Sequence, residues 1–345
     1  MIRSTSSGQA EPQTTPAIAA DAKWSRRHLL DIDEMSRDEI ELLMQTTDAM
    51  KEVLDREVPR VPALRGRTIV TLFYEASTRT RASFELAGKA LGADVINVAA
   101  SGSSVEKGES LIDTVRTLQA IGADALIMRH GSSGAPYLVA RHVQSSVINA
   151  GDGWHAHPTQ ALLDLYTMRA HLGDVRGRKV VIVGDIAHSR VARSNVWALA
   201  AMGADITVCA PPTLLPAGMR VRTGALTHED AGREQHAMPP VRVETDLDTA
   251  IEGADVVMAL RLQKERMSHG LLPSTREYAA LYQLTERRLA KAATGALVMH
   301  PGPMNEGVEI APAVAGSLQS VIEEQVTNGV AVRMAVLYLI CRGRG

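Results

Sequence analysis

Ser77, Thr78, Arg79, Thr80 and Arg81 follow one another just after the apolar run Thr68 to Tyr74. At a helix start, such hydroxyl and guanidinium donors join free backbone N–H groups and the positive end of the helix dipole. A phosphate dianion or a carboxylate fits that turn, and Arg79 can grip it with two parallel hydrogen bonds. Serine and threonine also cap helices, but four donor residues in succession exceed what capping requires. A second chemical stretch runs from Asn149 through Asp152, His155, His157 and Pro158 to Gln160. Its two histidines beside an aspartate invite a metal reading, yet no third ligand is evident, and no metal is expected. His157-Pro158-Thr159-Gln160 instead offers one imidazole and one amide to a carbonyl group. Polarising that carbonyl lowers the barrier to nucleophilic addition.

Further candidates stand at the ends of apolar runs. Arg129 ends one of them, and two readings stand: it points into a ligand crevice, or it pairs with a neighbouring loop. Arg190 opens a helix after Val181-Ile182-Val183-Gly184, as a carboxylate binder or as one half of an ion pair. That segment resembles the first turn of a dinucleotide-binding domain but keeps one of the three fingerprint glycines, which disfavours a nicotinamide cofactor. Arg261, Gln263 and Arg266 follow another run, and His300-Pro301-Gly302-Pro303 forms a rigid turn able to expose carbonyls to an amine. Each of these two reads equally as a plain charged loop or a plain proline turn; their shared position at strand ends raises them together. The loop Ser103 to Glu109, with Ser104 and Lys107, reads by itself as surface.

These segments need a scaffold, and the chain supplies one. Its 345 residues suffice for two domains. Lys plus Arg number 37 against 39 Asp plus Glu, a net charge of −2. Bulk electrostatics therefore give no reason for a nucleic-acid or membrane partner, and any positive field must be local. Two distant cysteines, Cys209 and Cys341, rule against a disulfide framework and point to a reducing, cytoplasmic setting. No apolar run approaches the ~18 residues of a membrane span. Residues 1–24 read as a disordered leader without the apolar stretch of a secretory signal; a transit peptide is the weaker alternative, since Arg3 and Lys23 are its only basic residues.

From Trp24 onward, short apolar runs alternate with helical stretches. Strands are expected at Thr68 to Tyr74, Asp94 to Val98, Ala125 to Met128 and Ser146 to Asn149. After a helix from Pro158 to Leu172 the pattern restarts, with strands at Lys179 to Val183, Asp205 to Ala210, Val241 to Glu244, Asp255 to Arg261 and Ala296 to Met299. Intervening helices are expected at Arg79 to Leu91, Glu109 to Ile121 and Arg190 to Met202, with a last one over Gln319 to Ile340. This is an α/β fold of two domains, each a parallel sheet flanked by helices. Two interdomain helices, 158–172 and the C-terminal one, join them. The domains are expected at 25–157 plus 320–345 and at 158–319.

Together, Phe73-Tyr-Glu-Ala-Ser-Thr-Arg-Thr-Arg81, His157-Pro-Thr-Gln160, Arg261-Leu-Gln263 and His300-Pro-Gly-Pro303 resemble the aspartate/ornithine carbamoyltransferase family, from about Arg26 to about Leu339. The histidine-proline and late-loop motifs lack the cysteine typical of ornithine enzymes. The resemblance therefore implies carbamoyl transfer from carbamoyl phosphate to L-aspartate, an early step of pyrimidine biosynthesis, with ornithine as the alternative acceptor and no cofactor. It places Ser77, Thr78, Arg79 and Thr80 on the phosphate, and Thr80, Arg129 and His157 on the carbamoyl oxygen. Gln160 and the Pro301 carbonyl would face the carbamoyl nitrogen, beside Gly302 and Pro303. Arg190, Arg261 and Gln263 would hold aspartate. Ser104 and Lys107 would arrive from a neighbouring chain of a homotrimer, Lys107 serving both substrates. Glu75 would tie the domains by pairing with Arg190 and Arg266, and Arg333 would be structural. A regulatory chain or a dihydroorotase is a further partner known in the family. Glu306 stands where relatives with this loop carry a basic residue, so no role is carried over to that position.

Overall fold

The computed structural model describes residues 24–99, 109–216, 238–263 and 270–342. Helix α1 (Arg37–Leu54) opens on the reciprocal capping box that Ser36-x-x-Glu39 predicts. Ser36 Oγ accepts the Glu39 N–H at 3.2 Å, and the Glu39 carboxylate accepts the Ser36 N–H at 2.9 Å. Then β1 (Thr68–Phe73), α2 (Thr78–Ala90), β2 (Asp94–Ala99), α3 (Leu111–Ala120), β3 (Ala125–His130), α4 (Ala135–Ala140) and β4 (Ser146–Asp152) build the first sheet. Its order is β2-β1-β3-β4 and every pairing is parallel. Both faces are covered, so the strands read as continuous apolar runs. Ile69 and Phe73 of β1 face the larger core, and Val70 and Leu72 the smaller one beneath α3 and α4.

Helix α5 (Pro158–Leu172) leads to the second sheet. This comprises β5 (Lys179–Val183), β6 (Asp205–Cys209), β7 (Arg242–Glu244), β8 (Val256–Ala259) and β9 (Leu297–Met299), parallel in the order β7-β6-β5-β8-β9. Helix α6 (Arg190–Ala201) and four short helices, α7 (Leu247–Ala250), α8 (Thr275–Tyr282), α9 (Glu286–Leu289) and α10 (Pro312–Ala315), fill the connections. Helix α11 (Ile322–Arg342) then returns to pack on α1, α2 and α5. The larger core runs without a break from the first sheet through α5 and α11 into the second. Each large aliphatic side chain fully buried there contributes ~1.5–3 kcal/mol.

Several boundaries move. Strands β3 and β4 reach His130 and Asp152 rather than Met128 and Asn149. Backbone pairing carries them past the end of the apolar run, across an irregularity between Met128 and His130. Helix α3 starts at Leu111 because Ser110 caps it, accepting the Asp113 N–H at 3.1 Å. Helix α11 starts at Ile322, since Ser320 still bridges Val298 at the sheet edge. Helices α4 and α7–α10 are too short to show a helical period.

The topology places the ligand crevice. In the first sheet, chain order reverses between β1 and β3; in the second, between β5 and β8. Ligands of open parallel sheets bind outside the carboxyl ends of the strands at such switch points. The turn after β1, the end of β3, the turn after β5 and the loop after β8 are the four places where the sequence puts Ser77–Arg81, Arg129, Arg190 and Arg261.

Candidate active site

Those four points open onto one cleft of about 860 Å³ between the two sheets. The described residues lining it include Ser77, Thr78, Arg79, Thr80, Arg129, His157 and Gln160 from the first half of the chain. Arg190, Arg261, Gln263, Pro301, Gly302 and Pro303 come from the second. The described residues that the family resemblance assigns to the two substrates therefore meet in one place, whereas Arg81, Asp152 and His155 lie outside that lining. Ser104, Lys107 and Arg266 lie outside the described residues.

Ser77 is the N-cap residue of α2, yet its side chain makes no capping hydrogen bond. The capping explanation of the turn is thus the weaker one, and its hydroxyl stays available to a ligand. Arg79 makes no ion pair among the described residues. Burial and the nearby Arg261 guanidinium both pull its pKa below the ordinary arginine value. Two cations face the same space, as an anion site requires. Gly302, at φ +65°, lets the turn after β9 approach Arg79: a Cβ there would stand 3.0 Å from Arg79 Cζ. The following Gly302–Pro303 peptide is cis.

Glu75 resolves the two readings of Arg129 and of Arg190, because each is both a cleft residue and an ion-pair partner. Its carboxylate accepts Arg129 Nη2 at 2.7 Å and Arg190 Nη2 and Nη1 at 2.7 and 3.1 Å. One carboxylate thereby joins the first sheet to α6 of the second. Gly151, at φ +116°, lies under both guanidiniums, and a Cβ there would stand 3.0 Å from Arg190 Cζ and 3.2 Å from Arg129 Nη1. Among the described residues, five arginines and one glutamate line the cleft. The positive field that the overall charge cannot supply is therefore local.

Two imidazoles complete the wall. His157 is the N-cap residue of α5 and donates its backbone N–H to Ser194 Oγ at 2.9 Å. Burial, then Arg129, Arg190 and Arg333, hold its pKa well below the ordinary histidine value. Burial beside Arg79 and Arg261 lowers His300 to about 3. His300 Nδ1 accepts the Gly302 N–H at 2.8 Å, so the neutral ring carries its proton on Nε2. Both are neutral near pH 7 and serve as hydrogen-bond groups rather than as charges. Among the described residues, no cluster of three or more His, Cys, Asp or Glu is arranged to hold a metal. His155 bonds Asp152 and Asp31 instead, at 3.2 and 3.3 Å.

Comparison with known proteins bears on this arrangement. The family model for the aspartate/ornithine carbamoyltransferase carbamoyl-P binding domain matches residues 27–170, and that for the Asp/Orn binding domain matches 176–340. The chain belongs to the aspartate/ornithine carbamoyltransferase family. Within this family it is 61% identical, over 314 residues, to a Chloroflexus aggregans protein named aspartate carbamoyltransferase catalytic subunit, covering 91% of this chain and 97% of that one. The fold matches Trypanosoma cruzi aspartate transcarbamoylase, solved with N-(phosphonacetyl)-L-aspartic acid. The TM-score there is 0.79 at 31% identity, over 93% of this chain and 97% of the other. It matches the ornithine carbamoyltransferase of Pyrococcus furiosus equally well, at TM-score 0.80 and 26% identity over 94% and 100% of the two chains. Carbamoyltransferase architecture is therefore common to both acceptor classes, and side chains must separate them.

Some cleft residues escaped the sequence reading. Arg333, read as structural, also lines the cleft. It donates to the Gly329 carbonyl at 3.0 Å and stacks over Phe84 at 5.1 Å. Gln325 is buried in the cleft lining, and Asp164 is buried behind it. Their signal was a polar residue at an apolar helical position: Asp164 stands one turn after Gln160 among leucines, and Gln325 on the inner face of α11. Glu309, also buried, accepts the Leu262 N–H at 3.0 Å and the Asn305 N–H and Nδ2 at 2.8 and 2.7 Å. It thereby clamps the Arg261–Gln263 loop to the late turn, while Glu306 is exposed.

Proposed function

We propose that this chain transfers the carbamoyl group of carbamoyl phosphate to the α-amine of L-aspartate, giving N-carbamoyl-L-aspartate and phosphate. The observation that carries the reading is the meeting, in one cleft, of the Ser77–Thr80 turn, the His157/Gln160 wall and the Arg190/Arg261/Gln263 wall. Phosphate sits on the turn, with Arg79 bidentate. Thr80, Arg129 and neutral His157 donate to the carbamoyl oxygen. Gln160 and the Pro301 carbonyl accept from the carbamoyl nitrogen, alongside Gly302 and Pro303. The amine attacks the carbonyl carbon and a tetrahedral intermediate forms. The bond to the phosphate oxygen then breaks, and the departing phosphate takes the amine proton. No protein nucleophile is needed, because phosphate is already a good leaving group. Positioning supplies ~7–11 kcal/mol in such a reaction, and each oxyanion donor ~2.7–4 kcal/mol.

Aspartate is favoured over ornithine by charge. Glu75 is the one carboxylate among the described cleft residues, and two arginines already occupy it. A second ammonium would find little to pair with, whereas a second carboxylate finds Arg190 and Arg261. The relatives' names agree. The direct test offers carbamoyl phosphate with either amino acid to the purified chain and identifies the product; citrulline in place of carbamoyl-aspartate would overturn the choice. Arg261→Ala is expected to raise the KM for aspartate about tenfold or more, with a smaller loss of phosphate binding, as read by initial rates and calorimetry.

The same reading assigns residues 25–157 plus 320–345 to carbamoyl phosphate and 158–319 to aspartate, the 158–172 helix linking them. It places the protein in the cytoplasm, in pyrimidine biosynthesis. The chain acts as a homotrimer in which Ser104 and Lys107 of a neighbour complete each site, with Lys107 serving both substrates, and Arg266 joins Glu75. A regulatory chain or a dihydroorotase would bind that trimer rather than the cleft. Mixing and refolding inactive Lys107→Ala with inactive Arg79→Ala chains should restore part of the activity. Well-assembled hybrids with none would exclude shared sites.

A further inference from the structure

Helix α5 is buried over nearly its whole first three turns, and one carboxylate lies inside it. Asp164 is fully buried. Its Oδ1 accepts Gln160 Nε2 at 2.9 Å and Gln325 Nε2 at 2.7 Å, and its Oδ2 accepts Asn195 Nδ2 at 2.8 Å. Helices α5, α6 and α11 thus converge on a single group.

A carboxylate only accepts, so every amide that meets it must present its NH₂. The amide oxygens then face the other way. Gln325 Oε1 accepts the His300 backbone N–H at 3.0 Å, which holds the turn that continues into Pro301. Gln160 lines the cleft, and with Nε2 committed to Asp164 the group it offers is the oxygen. Resting on the carbamoyl-transfer reading above, the acceptors facing the carbamoyl nitrogen are Gln160 Oε1 and the Pro301 carbonyl. Both are oriented through Asp164.

We infer that Asp164 is a positioning residue that sets the hydrogen-bond polarity of the carbamoyl subsite, forcing acceptors toward the substrate nitrogen from both halves of the cleft. With a neutral side chain at 164, three amide donors would compete for fewer acceptor sites. At least one would turn and aim its NH₂ at the substrate NH₂, leaving a buried donor unmatched.

The ionised form is the one required. Burial lifts the Asp164 pKa to about 6 against the lowering effect of the three amides, and Arg333 of α11 is the charge that faces it. As pH falls through that value the carboxylate gains a proton, so turnover is expected to decline on the acid side near pH 6. His300 titrates far lower, at about 3, and burial moves His157 in the same downward direction.

The test compares inorganic phosphate with phosphonoacetamide, a stable amide analogue of carbamoyl phosphate, by calorimetry on the full chain and its Asp164→Asn variant. Wild type should bind the amide ligand more tightly than phosphate; if it does not, the carbamoyl reading itself fails, whatever the variant does. In Asp164→Asn, phosphate affinity should stay within about twofold while the amide ligand weakens about tenfold or more. The acid limb near pH 6 should vanish from the residual rate. Equal losses for both ligands, or none, would overturn the inference. Should Asp164→Asn not fold, Gln325→Met carries the same comparison. It leaves the carboxylate in place but cuts its link to His300, and a selective loss is again expected, with equal or absent losses overturning it.

Discussion

Arg79→Ala should lower turnover of carbamoyl phosphate and aspartate by on the order of 10³-fold, the loss typical of deleting one charge-stabilising donor in a water-poor site. The reason lies in how the guanidinium is held. It is partly buried beside Arg261 with no ion-pair partner among the described residues, and its pKa is lowered by that burial. The free protein therefore bears a cost that only a bound dianion offsets. Two further consequences follow. Phosphate affinity should fall along with turnover, and thermal stability of the unliganded chain should be unchanged or slightly higher, because a strained cation has gone. Initial rates, phosphate calorimetry and a melting curve check all three. Near-normal activity would remove the anion site from this turn, and a large drop in Tm would mean that Arg79 is structural.

The second large effect is expected at Glu75. Glu75→Gln keeps the shape but removes the charge shared by Arg129 and Arg190. Hydrogen bonds to charged groups contribute ~1.5–3 kcal/mol each, and breaking an ion pair strands the partners. Arg190 is 5% exposed and cannot turn to water. The two guanidiniums then repel each other across the junction of the two sheets. We expect kcat/KM for aspartate to fall on the order of 10²-fold, from ~3 kcal/mol of lost bridging, with phosphate binding on the Ser77–Thr80 turn largely kept. Unaltered aspartate saturation would show that the bridge has no part in assembling the aspartate wall.

The limb near pH 6 and these two variants probe different layers of one site. In the proposed reaction Arg79 would meet the ligand and Asp164 would orient the amides, while Glu75 joins the walls. Glu309 repeats the logic of Asp164 on the second sheet, with one buried acceptor organising two loops.

The layers also differ in how legible they were. The Ser77–Arg81 turn, the strand–helix alternation and the placement of arginines at strand ends could be read from the chain alone. They depend on local rules: apolar period, capping residues, and the tendency of parallel sheets to bind ligands at their carboxyl edge. Short helices and strand ends could not be read, since backbone pairing rather than composition extends β3 and β4. Nor could the partners of the charges. Glu75 reaches residues 54 and 115 positions away, and Asp164 reaches one 161 away. By itself the sequence singled out residues able to bind an anion and polarise a carbonyl, and its family resemblance added those expected to hold a dicarboxylate. Only the tertiary structure decided that Arg129 and Arg190 share one carboxylate, that burial lowers the pKa of His157 and His300, and that Gln160 and Gln325 meet on one buried aspartate. Charge state and amide orientation follow from burial and from neighbours distant in the chain, and neither is written in local sequence.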